Sequence, residues 1–281
     1  MKRKKYALVT GGGRGIGEGI ALRLGKESYN VAITYRNSED GALEVQKQLQ
    51  EMGSDTQIFK ADMSVIGQID AAFDEYEKHY NYLDLLVNNA GVTMSSPFLE
   101  TTPELFDAVV NTDLRGPYFM AQRAAKYMIK KDCEGSIINI ASNQGTANFI
   151  NSSVYGSVKA GLIKLTKHMA LELSRYNIRV NTLSPGLVDI GNLGKYLNKP
   201  ENSKHKNKFE TVIPLGCWAV PEQVAGIVVF LASDDAIYIT GEEIIADGGA
   251  KLPVLMDLPA DQLPDSDRKK SILIKNIEDN T

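Results

Sequence analysis

A glycine-rich turn near the start of the chain restricts its fold more than any other feature. Residues 6–9 are apolar and predict a short strand, residues 10–17 read TGGGRGIG, and a helical pattern covers residues 16–24. In a strand–turn–helix unit, backbone amides at the helix N-terminus can meet a phosphate, and glycines leave room for its close approach. The glycines follow the pattern G-x-x-x-G-x-G, at Gly11, Gly15 and Gly17. Such a sequence can be only a tight turn, but its place after the first strand favours a dinucleotide-binding fold.

Apolar strand patterns and amphipathic helical patterns alternate after this turn. Further strands are predicted at 30–34, 57–60, 83–87, 135–141, 178–183 and 242–246. Helices are predicted at 38–52, 65–80, 153–176 and 221–232, and residues 103–131 as one long helix or two joined near Gly116-Pro117. This alternation predicts an α/β fold, a doubly wound parallel sheet of about seven strands with right-handed crossovers.

The sequence divides into one domain and a tail. Residues 1–251 are predicted to form a single dinucleotide-binding domain. Residues 252–281, rich in proline and charge at their start, are predicted to be a C-terminal tail without its own core. Residues 187–217 are polar and irregular and are predicted to form a substrate lid. The lysines of this lid are either a solvated face or an attraction for an anionic substrate; they are Lys195, Lys199, Lys204, Lys206 and Lys208.

Composition excludes several classes of function. The net charge of −4 gives no general attraction to nucleic acid or to an anionic membrane. No apolar run approaches the ~20 residues of a membrane span, and the basic start lacks the apolar run of a signal peptide. Cys133 and Cys217 lack metal-type spacing and the three histidines are scattered, so no metal site is predicted. These features predict a cytoplasmic protein with reduced thiols.

The end of the second strand indicates which dinucleotide is bound. Folds that prefer NAD usually place an acid there, against the ribose hydroxyls, whereas here the strand is followed by Tyr35-Arg36-Asn37. Arg36 and, from the glycine turn, Arg14 could grip a 2′-phosphate with two guanidiniums. The alternative is that both are solvated surface arginines. The phosphate interpretation predicts a preference for NADP(H) over NAD(H).

Ser142, Tyr155 and Lys159 form a candidate catalytic set. Tyr155 follows Ser142 by thirteen residues and precedes Lys159 by four, a spacing that puts Tyr155 and Lys159 on one helix face. An ammonium beside a phenol favours the phenolate, so such a tyrosine can pass a proton to or from a substrate oxygen. Ser142 comes directly after the predicted strand 135–141, where open α/β sheets place their ligands.

A second Tyr-x-x-x-Lys pair shows that the spacing alone is weak evidence. Tyr127 and Lys131 share it, but they lie inside a helical pattern with no serine or threonine at a comparable distance before them. We interpret this copy as a solvated face on a surface helix.

In this order, the motifs resemble those of the short-chain dehydrogenase/reductase family over about residues 5–249. The markers are TGGGRGIG (10–17), Asp62, NNAG (88–91), Ser142, YGSVK (155–159), SPG (184–186) and DGG (247–249). The resemblance implies a Rossmann-type sheet of seven strands and a homodimer or homotetramer. It also implies that Tyr155 is the acid or base, that Lys159 favours its phenolate and holds the nicotinamide ribose, and that Ser142 orients the substrate carbonyl.

The resemblance extends the set of expected cofactor contacts. Asp62 and Asn89 are implied to line the adenine side, and Val188 to offer backbone hydrogen bonds. The complete predicted set is Gly11, Arg14, Gly15, Ile16, Gly17, Arg36, Asp62, Met63, Asn89, Ala90, Gly91, Tyr155, Lys159, Pro185, Gly186 and Val188.

Two positions depart from the family pattern. Where the family commonly has an asparagine that relays protons through a water to the lysine, three residues before a glycine, this chain has Asp113. Asp113 could still hold a water and is added to the catalytic candidates, although its charge would alter the surroundings of Lys159. Asn111 is two residues away and is expected on another helix face. The family's threonine four residues after the glycine of PG is Ile190 here, which removes a side-chain contact to the cofactor.

The predicted activity is the NADP(H)-dependent interconversion of a carbonyl and a secondary alcohol on a small molecule. Within the family the sequence resembles glucose 1-dehydrogenases and 3-oxoacyl-carrier-protein reductases. An NAD(P)-dependent sugar or hydroxysteroid dehydrogenase is the alternative. A dinucleotide-binding regulator without turnover would not need the Ser142, Tyr155 and Lys159 set.

Overall fold

The computed structural model describes residues 3–191, 199 and 212–252, and these form one seven-stranded parallel sheet. The strands are β1 Tyr6–Val9, β2 Asn30–Tyr35, β3 Thr56–Lys60, β4 Leu85–Asn88, β5 Gly135–Ile140, β6 Ile178–Pro185 and β7 Glu243–Ala246. The helices are α1 Gly15–Lys26, α2 Glu39–Glu51, α3 Ile66–His79, α4 Pro103–Val110, α5 Gly116–Lys130, α6 Ser153–Leu173 and α7 Pro221–Ala232. The strand order β3-β2-β1-β4-β5-β6-β7 confirms the predicted Rossmann-type α/β sheet.

Both faces of the sheet are covered, which explains why the central strands β1 and β4 are apolar almost throughout. Successive residues of a strand point to opposite faces, so Val9 packs with α1, α2 and α7 while Leu8 packs with α3, α5 and α6. Each fully buried leucine or isoleucine in these layers contributes about 1.5–3 kcal/mol to folding. The order of strands reverses direction at β1 and β4, and the carboxyl ends of these neighbouring strands open toward the functional site.

The helical segment between β4 and β5 is two helices joined by a π-helical turn. Residues Asn111–Arg115 form this turn between α4 and α5, so the distortion comes just before Gly116. The helix packs so closely here that a Cβ added at Gly116 would lie 2.4 Å from the carbonyl oxygen of Met63. Single π turns are frequent at functional sites, and this one carries Asp113.

The interpretation of Tyr127 as part of a solvated face is wrong. Only 2% of Tyr127 is exposed, and its hydroxyl donates to the carbonyl oxygen of Tyr80. The ring meets Phe73 and Tyr76 edge-on in the core. Burial raises the pKa of Tyr127 to about 12. A tyrosine hydroxyl that is buried in a core usually makes a hydrogen bond, as this one does. The second Tyr-x-x-x-Lys pair therefore has a structural role.

Parts of the predicted lid and tail lie outside the described residues. These include Lys195, Lys204, Lys206 and Lys208 of the lid and everything after Leu252. Across residues 3–191 and 212–252, no helix has the length and apolar character needed to cross a membrane.

Candidate active site

A cavity of about 450 Å³ opens at the carboxyl ends of the central strands and brings most of the predicted site residues together. The predicted residues that line it are Gly11, Arg14, Gly15, Ile16, Gly17, Arg36, Asp62, Met63, Asn89, Ala90, Gly91, Asp113, Tyr155 and Lys159. These residues come from six separate segments of the chain, so only the fold makes them neighbours.

The glycine turn is built to leave one side of its backbone open. Gly11 and Gly15 have φ values of +66° and +59°, in the left-handed region that favours glycine. A Cβ added at Gly17 would lie 2.3 Å from the carbonyl oxygen of Gly11 and 2.4 Å from Nδ2 of Asn89. Asn89 Nδ2 donates to the carbonyl oxygen of Thr10 at 2.9 Å. The turn is thus clamped to the loop after β4, and the N-terminus of α1 faces the cavity as an anion site requires.

Arg36 lines the cavity directly after the end of β2. Its Nη1 lies 3.6 Å from Oδ2 of Asp62, and 47% of its side chain is exposed. Oδ1 of Asp62 accepts hydrogen bonds from the backbone N–H of Ser64 at 2.9 Å and from its hydroxyl at 2.7 Å. Burial opposes the charge of Asp62, but these bonds and the Arg36 guanidinium lower the pKa of the carboxyl. Asp62 is therefore ionised at neutral pH and holds Arg36 at the end of β2.

Tyr155 and Lys159 lie on the face of α6 that turns toward the cavity. Tyr155 packs against Val109, Val154 and Val158, and 9% of it is exposed. Lys159 Nζ lies 5.6 Å from the centroid of the Tyr155 ring and donates to the carbonyl oxygen of Ile140 at 3.1 Å. The end of β5 thus fixes the ammonium beside the phenol.

Asp113 makes a direct ion pair with Lys159. Its Oδ2 lies 3.0 Å from Lys159 Nζ, and its Oδ1 accepts the backbone N–H of Val92 at 2.8 Å. Both side chains are almost fully buried, with exposed fractions of 1% for Asp113 and 5% for Lys159. Burial opposes the charge of Lys159, but the carboxylate of Asp113, together with Tyr155, outweighs it and raises the pKa of the ammonium. Asp113 stands where the family commonly has an asparagine, and its charge acts directly on Lys159.

Ser142 lies directly after β5, following the cavity residues Ile140 and Ala141. Its Oγ accepts the backbone N–H of Gln144 at 3.2 Å, which leaves the hydroxyl hydrogen available to a substrate oxygen. The next residue, Asn143, reaches Asp247 of the DGG motif, Nδ2 to Oδ2 at 3.4 Å.

The predicted contacts from the end of β6 are not part of this cavity lining. Pro185 is the last residue of β6, and the backbone N–H of Gly186 donates to the carbonyl oxygen of Ala246 at 2.9 Å. Val188 pairs with Ala219 in an isolated bridge. These three residues support the strand end beside β7, and their contact with a cofactor stays a prediction.

Other lining residues were not predicted. They are Thr34, Tyr35, Asn37, Ser38, Ala61, Val92, Thr93, Thr112, Ile140, Ala141 and Ile190. Most adjoin a predicted residue at a strand end, and this adjacency is the signal that could have found them. Ile190 is different, because its Cγ2 would lie 3.2 Å from a Cβ added at Gly15. The isoleucine that replaces the family threonine therefore covers the glycine turn.

Within the described part of the chain, no three histidine, cysteine, aspartate or glutamate side chains group together as metal ligands would.

The fold and the site together define a dinucleotide-binding protein: a Rossmann-type sheet, a glycine turn at the first helix, and a cavity at the point where the strand order reverses.

Comparisons with known proteins identify the family. The family model described as enoyl-(acyl carrier protein) reductase matches residues 11–251. The chain is 36% identical over 249 residues to 3-oxoacyl-(acyl-carrier-protein) reductase FabG of Staphylococcus aureus strain Mu50, covering 89% of this chain and 99% of that protein. It is 34% identical over 248 residues to 3beta-hydroxysteroid dehydrogenase 1 of Eggerthella lenta, covering 88% and 94%.

A solved structure agrees with these relatives. An actinorhodin polyketide ketoreductase variant with NADPH superposes with a TM-score of 0.82 at 30% identity, covering 89% of this chain and 98% of that one. The chain belongs to the short-chain dehydrogenase/reductase family. It is therefore an oxidoreductase of a family that uses nicotinamide cofactors to interconvert carbonyls and alcohols.

Proposed function

We propose that this protein is an NADP(H)-dependent reductase or dehydrogenase that interconverts a carbonyl and a secondary alcohol at Ser142, Tyr155 and Lys159. The observation that carries the proposal is that Tyr155 and Lys159 line the same cavity as the glycine turn and Arg36. A proton-transferring pair and a dinucleotide-type turn in one cavity are what hydride transfer to a carbonyl requires.

The residues present fit the dinucleotide. Gly11, Gly15 and Gly17 line the cavity at the N-terminus of α1, where backbone amides can meet a pyrophosphate. Gly17 lets the turn pack directly against α1 and Asn89, and Gly11 and Gly15 adopt left-handed backbone conformations. Lys159 lines the same cavity, and we expect its ammonium to hold the nicotinamide ribose. When bound, the nicotinamide supplies or accepts the hydride. The chain's own part is to orient the substrate oxygen with the Ser142 hydroxyl and to give or take its proton at Tyr155 Oη, beside the fixed Lys159 ammonium.

Arg36→Ala is expected to weaken NADPH binding about tenfold and to leave NADH binding nearly unchanged. NADPH differs from NADH by one phosphate on the adenosine ribose, and a charge-assisted hydrogen bond contributes about 1.5–3 kcal/mol, reduced here because 47% of the Arg36 side chain is exposed. Affinities of both cofactors are measured by fluorescence titration, followed by kcat/KM with each.

Arg23→Ala is the matched control for Arg36→Ala. Arg23 lies on α1 and pairs with Glu27 at 3.0 Å, with 41% of its side chain exposed. It does not line the cavity, so neither cofactor should bind less tightly. A higher kcat/KM with NADH than with NADPH in the unmutated protein would contradict the NADP(H) preference.

The relatives support an acyl or steroid substrate over a sugar. The chain is similar to a 3-oxoacyl-(acyl-carrier-protein) reductase and to a 3beta-hydroxysteroid dehydrogenase. A second cavity, of about 420 Å³, begins at Gln144, two residues after Ser142, and combines the exposed rings of Phe98 and Phe149 with several asparagine and serine side chains. This mixed lining can contact both the apolar part and the polar groups of such a substrate.

The test of the proposed function is a substrate panel followed at the nicotinamide absorbance band. The panel contains 3-oxoacyl thioesters, hydroxysteroids with their ketones, and glucose-type sugars. We expect turnover with a member of the first two groups. Cofactor binding without turnover of any panel member would favour the regulator instead.

We also propose that the protein acts in the cytoplasm as a homodimer or homotetramer. An apolar groove on α5 and α6 supports the assembly; it is lined by Val110, Leu114, Tyr118, Phe119 and Leu165, together with Arg115 and Gly161. Light scattering after gel filtration measures the mass directly, and a monomer would contradict this part of the proposal.

A further inference from the structure

The buried ion pair of Asp113 and Lys159 sets the charge beside Tyr155. An uncompensated ammonium favours the phenolate form of a neighbouring tyrosine. Here the carboxylate of Asp113 lies 3.0 Å from Lys159 Nζ, which itself lies 5.6 Å from the Tyr155 ring centroid. The pair carries no net charge, so the phenol faces a dipole rather than a full positive charge.

Three contacts fix the carboxylate in this position. The π turn presents Asp113 to α6, and the backbone N–H of Val92 donates to its Oδ1 at 2.8 Å. A Cβ added at Gly91 would lie 2.7 Å from Oδ2, so the glycine leaves room for this oxygen. Because both residues are buried, water screens the pair little.

Besides Asp113 and Lys159, the charged residues that line the cavity are Arg14, Arg36 and Asp62. Asp62 is paired with Arg36. The other side chains that pack with Tyr155 from α4, α6 and the π turn are valines and leucines, and the end of β5 contributes the carbonyl oxygen that accepts from Lys159. Asp247 contacts Asn143 rather than Lys159. Among the described residues, Asp113 is thus the carboxylate in contact with the Lys159 ammonium.

We propose that Asp113 is a positioning residue that compensates the charge of Lys159, keeps Tyr155 protonated to higher pH, and so widens the pH range in which the protein reduces a carbonyl. This inference rests on the proposed role of Tyr155. In reduction, the carbonyl carbon gains a hydride from the reduced nicotinamide, which is oxidised. The O–H bond of Tyr155 breaks, its proton goes to the substrate oxygen, and solvent later reprotonates the phenolate.

Asp113→Asn is expected to move the alkaline limb of the kcat/KM profile for reduction to lower pH by about one unit. The two contact distances put the carboxylate within about 9 Å of the Tyr155 ring, and one unit charge at that distance is worth about one pH unit at an effective dielectric constant of about 20. Asparagine keeps the shape of the side chain and an oxygen for the Val92 N–H. The rising limb of the oxidation profile should move in the same direction.

A readout without cofactor or turnover separates this inference from the proposed function. The protein is labelled with ¹³C at tyrosine Cζ, and the Tyr155 signal is assigned by its absence in Tyr155→Phe. In Asp113→Asn the signal should reach the phenolate position about one pH unit lower than in the unmutated protein. This shift can be measured even if the protein turns over no substrate. Missing turnover would count against the proposed function, and a missing shift would count against the role of Asp113.

Asp84→Asn is the matched control. Asp84 also forms an ion pair, with Arg3 at 2.8 Å, but it lies at the amino end of β4, whereas the cavity opens at the carboxyl ends of the strands. Its replacement should leave the pH profile unchanged. Asp113→Ser provides a second variant in case the asparagine protein does not fold, and it must shift the profile in the same direction. Unchanged midpoints, a shift to higher pH, or an equal loss of kcat at every pH would overturn the proposal.

Discussion

Tyr155→Phe is expected to lower kcat by about a thousandfold or more while changing cofactor affinity little. The substitution removes one oxygen, and positioned general acid–base groups contribute about 10²–10⁴ to the rate. The ring keeps its packing against Val109, Val154 and Val158, so the cavity keeps its shape. Single-turnover kinetics with the best panel substrate give the rate, and fluorescence titration gives the cofactor affinity.

Tyr127→Phe is the control for this prediction, because the chain offers the same pair at the same spacing. Its hydroxyl donates to the carbonyl of Tyr80 in the core, so the variant should lose about 1 kcal/mol of unfolding free energy and keep its turnover. Equal losses of activity from both substitutions would show that Tyr155 has no special role.

The sheet could be predicted because its strands are buried on both faces. Continuous apolar runs predict such strands, and the predicted bounds 6–9 match β1 residue for residue. The carboxyl-end rule then places the residues after each strand in one cavity. This explains why Arg36 could be assigned to the site from the end of its strand, whereas the roles of Asp62 and Asn89 were implied by the family resemblance.

Tyr127 shows what periodicity cannot predict. Its place on one face of α5 was visible in the sequence, but whether that face met solvent or the aromatic core depended on α3, which supplies Phe73 and Tyr76. A lysine at the same spacing suggested exposure. The Lys131 ammonium instead lies over the Tyr127 ring, 5.5 Å from its centroid. A long lysine side chain can cover apolar surface in this way while its charge stays in water.

The ion pair of Asp113 and Lys159 could be predicted only in part. The sequence showed that an aspartate stood where the family has an amide, and that its charge would affect Lys159. The direct 3.0 Å contact requires the π turn at Asn111–Arg115, which shifts the helix face by a residue. No local sequence pattern in the chain indicated this turn.

Gly17→Ala is expected to weaken NADPH binding by at least about tenfold and to lower the unfolding free energy by about 1–3 kcal/mol. Alanine is a better helix former than glycine by about 1 kcal/mol. Helix propensity alone therefore predicts a higher unfolding free energy, not a lower one. The added Cβ, however, would lie 2.3 Å from the carbonyl oxygen of Gly11 and 2.4 Å from Asn89 Nδ2. Neither can retreat easily: a Cβ built at Gly11 already lies 3.0 Å from the Cα of Ala90, and Thr10 holds the Asn89 amide at 2.9 Å. The clash must therefore open the turn that we propose binds the pyrophosphate.

Gly67→Ala tests whether this effect comes from the site or from the residue type. Gly67 lies in the first turn of α3, as Gly17 lies in the first turn of α1, and no atom comes within 4 Å of a Cβ added there. Alanine at this position should raise the unfolding free energy by about 0.5–1 kcal/mol and leave NADPH affinity unchanged. Urea denaturation and NADPH titration of the two variants side by side measure both quantities. If the Gly17→Ala protein had the same unfolding free energy and the same NADPH affinity as the Gly67→Ala protein, the clamp between the glycine turn and Asn89 would not shape the dinucleotide site.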